Sequence, residues 1–199
     1  MNKSLLVSVF LAAGLISGAA AALIAGPPET KQPIEWLENP RNLPGFSLEK
    51  EAGGFNNQSL KGYWTIVMFG FLNCPDICPT SLAQLATLAD HLAELTTDNE
   101  VNYVFVSVDP NRDTPTQINQ YVTNFNSSIQ GVTGTEEQLE QFASALGIQF
   151  KVSADTDNYR FSHSITYSMI DREGVFRGRF RPGFEVAGWV DSFKPYLSQ

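Results

Sequence analysis

Four side chains in this sequence are suited to soft-metal or thiol chemistry: Cys74, Cys78, His91 and His163. Such chemistry must be built from these few residues. Cys74 and Cys78 stand four apart in Leu72-Asn73-Cys74-Pro75-Asp76-Ile77-Cys78-Pro79. At that spacing two side chains share one side of a turn, with about 5–6 Å between Cβ atoms, so a shared metal ion and a disulfide are both open. Pro79 suits the first position of a helix, where a missing N–H costs nothing, which puts Cys78 at or near the N-cap. A helix N-terminus favours negative charge and lowers a thiol pKa, with Asp76 opposing. The plainer alternatives are a structural disulfide or two buried apolar cysteines. A cross-link closing so short a loop would restrict the unfolded chain little.

His91 lies 13 residues beyond Cys78 in one helical stretch, hence about 20 Å away at 1.5 Å per residue, and is assigned to the helix surface. His163 sits late in the chain, where Phe161, His163 and Ile165 alternate with serines. That pattern fits a ligand and equally an ordinary histidine on a half-buried strand. Two thiolates with one imidazole would form a soft, open, three-coordinate set that suits Cu(I), and Cu(II) with added oxygen ligands, better than magnesium or calcium.

The elements that must position these residues can be read from periodicity. Tyr63–Phe71 and Val101–Val108 are continuously apolar, as strands buried on both faces would be. Between them Leu82, Leu85, Leu88, Ala89, Leu92 and Leu95 recur at helical spacing. The cysteines therefore fall at a strand-to-helix junction. Thr114-Pro115-Thr116-Gln117 and Thr135-Glu136-Glu137-Gln138 match capping boxes and predict two further helices, the second ending at Gly147. Asp171–Gly174 separates two β-rich runs as a hairpin would, Gly53–Gly62 reads as turns, and Phe184–Leu197 as a closing helix. This order predicts an α/β sandwich with a mixed central sheet and flanking helices, an order compatible with a thioredoxin-like fold. Asp113 and Thr114 are expected to initiate a helix, with an acidic rim of Asp109 and Asp113 as the alternative. Arg177, Arg179 and Arg181 share one strand face, expected to be solvated.

The chain of 199 residues carries 13 Lys+Arg against 21 Asp+Glu, a net charge of −8, which argues against nucleic-acid binding. The uninterrupted apolar or small-residue stretch Leu5–Gly26 follows Lys3. It is long enough for a membrane anchor of about 20 residues, while Ser17–Ala22 resembles a signal cleavage region. The expected organisation is thus an anchor or signal segment over residues 1–26, a proline-rich spacer over 27–44 and a copper-binding domain over 45–199. By the positive-inside tendency everything after Pro27 is expected to lie across the membrane, where disulfides are permitted, and the expected location is an inner-membrane anchor with the domain in the periplasm.

Gly70-Phe71-Leu72-Asn73-Cys74-Pro75-Asp76-Ile77-Cys78-Pro79, Val108-Asp109-Pro110-Asn111-Arg112-Asp113-Thr114-Pro115 and Ser162-His163-Ser164 together resemble the Sco/SenC family, from about Leu43 onward. The resemblance implies a thioredoxin-like fold, a membrane anchor, and copper held by Cys74, Cys78 and His163. It also implies a role in assembling the dinuclear copper centre of cytochrome c oxidase, with the copper-bearing subunit or another cuproprotein as partner, alongside copper donors and thiol reductants. Leu72-Asn73 stands where relatives usually have Thr-His, and Ser162 where they usually have Asp. Hydrogen bonds to a ligand tune its orientation and donor strength, so these positions bear on affinity while the ligands are intact. The alternative function is a thiol–disulfide oxidoreductase using Cys74 and Cys78. Three intervening residues, where thioredoxin-like catalysts have two, argue against a general one.

Overall fold

The computed structural model describes residues 33–95, 100–150 and 165–197. Its core strand is β4 (Trp64–Gly70), and all seven of its residues are buried. Alternation along this strand divides the interior in two. Ile66 and Met68 point into one apolar cluster, and Val67 and Phe69 into the other. Fully burying each such side chain contributes about 1.5–3 kcal/mol, so β4 is a rigid base for whatever its ends carry.

β4 runs parallel to β5 (Val101–Ser107), and β5 parallel to β6 (Ile129–Thr133). On the other side β4 pairs antiparallel with β7 (Tyr167–Ile170), which forms the expected hairpin with β8 (Val175–Phe180). With β1 (Glu35–Asn42), β2 (Ser47–Lys50) and β3 (Gly54–Asn56), the described residues make one mixed sheet in the order β1-β8-β7-β4-β5-β6-β2-β3.

Helix α1 (Ile77–Leu95) buries Leu82, Leu85, Leu88, Ala89 and Leu92. Leu95, at its last position, is exposed. α2 (Pro115–Thr123) adds Ile118 and Val122 to the same face of the sheet, and α4 (Val186–Leu197) adds Trp189, Val190 and Phe193. On the opposite face α3 (Glu136–Ala145) packs Leu139, Phe142 and Ala143 with Phe46, Leu48 and Phe55. Both capping boxes form, with Thr114 and Thr135 as N-caps. After α3, Gly147 takes φ +71°, and Ile148 N–H donates to Ala143 O at 2.9 Å, a reversal that suits glycine.

Two boundaries differ from the sequence reading. Residues assigned to the 27–44 spacer include β1, an edge strand paired to β8, so the folded unit begins before Gly45. Ile34 is buried, and Trp36 packs on Trp64 and Tyr196. Pro40 is accommodated where the β1–β8 register shifts between Trp36 and Arg41, because an edge position needs no further N–H donor. The Gly53–Gly62 stretch also holds β3 and a 3-10 turn over Asn57–Leu60. The expected anchor or signal over 1–26 lies outside the described residues. Among those described, no helix is long and apolar enough to cross a membrane.

Candidate metal centre at the β4–α1 junction

Beyond Gly70 the chain makes a tight turn in which Cys74 N–H donates to Phe71 O at 3.3 Å. Cys78 N–H then donates to Cys74 Sγ at 3.4 Å. Both cysteines are free thiols, Cys74 9% and Cys78 1% exposed, so they sit side by side just under the surface. Helix α1 starts at Ile77, which makes Cys78 the second helical residue and Pro79 the third, two positions deeper than expected. Pro79 still lies in the first turn, where the backbone N–H groups have no partner within the helix.

Gly70 is required by this packing. A Cβ there would lie 2.7 Å from the Phe105 ring and 3.1 Å from Cys78 Sγ. Real Cβ atoms do not approach a buried ring so closely, so the thiol occupies space that only glycine leaves open.

The Cys78 thiol is pushed up to about 12, first by burial and then by the Cys74 hydrogen bond and charge, against a lowering contact from the Phe71 backbone. This reverses the expectation that the helix terminus would favour a thiolate. Desolvation of a side chain 1% exposed outweighs the helix dipole. A metal ion entering here must displace a proton from Cys78.

The β5–α2 loop closes one side of the site. Asp113 is buried and does not cap α2; Thr114 does. The Asp113 carboxylate instead accepts from Leu72 N–H at 2.9 Å and from Ser107 Oγ–H. Burial raises its pKa, opposed by those two hydrogen bonds. Asp109 is also buried and pairs with Arg112, so the two carboxylates are not an acidic rim.

Tyr121 of α2 is a neighbour that the motifs did not single out. Burial raises its pKa, and the nearby Cys78 and Cys74 raise it further. Its ring meets Phe105 and Phe125. The spacing Ile118, Tyr121, Val122, Phe125 would have placed it on the sheet-facing side of the helix.

His91 is exposed, its Nδ1 2.9 Å from Thr87 O, as expected for the helix surface. Arg177, Arg179 and Arg181 are exposed and lie beside Asp171 and Glu35, a solvated and largely neutralised face. His163 and its serine neighbours lie outside the described residues.

A strand-to-helix dithiol on a mixed sheet flanked by helices is the architecture of thioredoxin-like proteins, and solved structures agree. A copper-bound ScoI from Arabidopsis thaliana superposes with TM-score 0.69 at 32% identity, covering 78% of this chain and 98% of that one. Copper-bound yeast Sco1 gives TM-score 0.71 at 29% identity, covering 80% and 90%. A SCO2-like protein of Rickettsia prowazekii is 35% identical over 153 residues, 75% of this chain and 74% of its own length. The SCO1/SenC family model matches residues 37–198, and the chain belongs to that family.

Proposed function

We propose that this protein is a copper chaperone that binds copper through Cys74, Cys78 and His163 and delivers it to the dinuclear copper site of cytochrome c oxidase. The observation that carries this reading is the pair of reduced, adjacent, nearly buried thiols, within a family whose solved members include copper-bound forms. Two sulfur donors hold Cu(I) strongly and hard cations poorly. Copper is cargo here, and a site with few ligands at the domain surface can take it up and release it.

The sheet supports His163 as the third ligand. β7 runs antiparallel to β4 with Tyr167 opposite Met68, and Ile165 is buried in the same cluster as Cys74 and Cys78. The chain therefore enters β7 at the end of β4 that bears the cysteine loop. Residues 1–26 tether the domain to a membrane, with the copper site on the outer, periplasmic side.

The test is Cu(I) titration of the full chain in detergent against a competing chelator, comparing wild type with Cys74→Ala, Cys78→Ala and His163→Ala. One tightly bound ion per chain, weakened by every substitution, is expected. Wild-type affinity in His163→Ala would remove it from the ligand set. Absence of copper binding, with the dithiol passing two electrons and two protons to a partner disulfide and closing as Cys74–Cys78, would make the protein an oxidoreductase.

A further inference from the structure

We infer that Asp113 is a positioning residue that fixes the turn carrying Cys74, by holding the Leu72 N–H from a point anchored in the sheet. Its Oδ2 receives both Leu72 N–H at 2.9 Å and the Ser107 hydroxyl, and the side chain is only 2% exposed. Ser107 is the last residue of β5 and lies in register with Gly70, the last residue of β4. Its carbonyl accepts from Thr133 Oγ1 at 3.1 Å, and its hydroxyl oxygen accepts from Asp109 N–H at 3.2 Å. Asp113 N–H donates to Asp109 O at 2.9 Å, which ties the carboxylate's own backbone to the same strand end.

The chain of contacts thus runs from the β5–β6 ladder through Ser107 and Asp113 to Leu72, two residues before Cys74. Among the described residues the Asp113 carboxylate is the partner of the Leu72 N–H, and the hydrogen bond that closes the Phe71–Cys74 turn is long, at 3.3 Å. A hydrogen bond to a carboxylate is roughly twice as strong as a neutral one, so Asp113 is the firmer restraint on the loop. It sets where Cys74 Sγ stands relative to Cys78, and hence how much rearrangement the dithiol needs before it can grip a metal ion or close a disulfide.

The inference rests on the copper reading for its metal arm, while its thiol arm stands without copper. In the full chain, Asp113→Ala is expected to weaken Cu(I) binding about tenfold, the lower end for residues supporting a ligand indirectly. It should also speed iodoacetamide alkylation of Cys74, measured metal-free in a Cys78→Ala background. Asp113→Asn keeps an acceptor oxygen in place and should restore most of both properties. Asp113→Glu keeps the charge but displaces the oxygen, so it should behave like Asp113→Ala and serves if that variant does not fold. Thr135→Ala, a destabilised control on α3, should leave both readouts at wild-type values. Wild-type Cu(I) affinity and alkylation rate in folded Asp113→Ala or Asp113→Glu would overturn the inference. If wild type binds no Cu(I), the copper reading fails and alkylation alone decides the role of Asp113.

Discussion

Raising the pH from 9 to 10 should destabilise the reduced, metal-free protein through Cys78. In the folded chain this thiol is raised from 9.0 to about 12, mainly by burial. In the unfolded chain it titrates at its ordinary value of 9.0. A group raised on folding contributes stability that is complete below its unfolded value and is lost as the pH climbs towards its folded value. Within that window the unfolded chain has released the proton and the folded chain retains it, so unfolding becomes easier by up to about 1.4 kcal/mol per pH unit. Tyr103, Tyr121 and Tyr167 are also raised by burial, from 10.0, so their contribution is lost mainly above that pH and the interval below it reports chiefly on the thiol. Urea unfolding followed by fluorescence of the buried Trp64 and Trp189 would measure the effect. Wild type should lose stability relative to Cys78→Ala between pH of about 9 and about 10. Parallel pH profiles for the two proteins would refute the reasoning.

Gly70→Ala should cost about 1–3 kcal/mol by overpacking against Phe105. Because the new methyl also meets Cys78 Sγ, Cu(I) affinity should fall with it, whereas an unchanged affinity would show that the thiol is not held by this contact. Thr114→Ala and Thr135→Ala each remove an N-cap and should cost about 1 kcal/mol in urea unfolding. They cap different helices on opposite faces of the sheet, so the double variant should show the sum within about 0.5 kcal/mol.

Much of the fold was legible because its signals are local. β4 and β5 are mostly apolar runs, α1 is a leucine stripe, and each capping box states its own helix start. The dithiol was equally readable, since four-residue spacing after a buried strand puts both sulfurs at one junction. What escaped depends on contacts between distant segments. β1 reads as a spacer because Pro40 and the prolines flanking it hide a strand whose partner among the described residues, β8, is more than 130 residues away in sequence. Asp113 reads as a cap beside Thr114, and only the meeting of β4 and β5 turns its carboxylate towards Leu72. The raised Cys78 thiol is hidden from the sequence for a similar reason. The helix dipole can be inferred from position, but desolvation depends on Gly70, Phe105 and the packed sheet beneath.

The central claim is that copper is held by two sulfurs and one imidazole. X-ray absorption at the copper edge, on full-length protein loaded with one equivalent of Cu(I), would read that coordination directly. The account predicts a shell of two sulfur scatterers and one imidazole nitrogen, with the imidazole contribution lost in His163→Ala. A shell of sulfur alone in wild type, or of nitrogen and oxygen without sulfur, would contradict it.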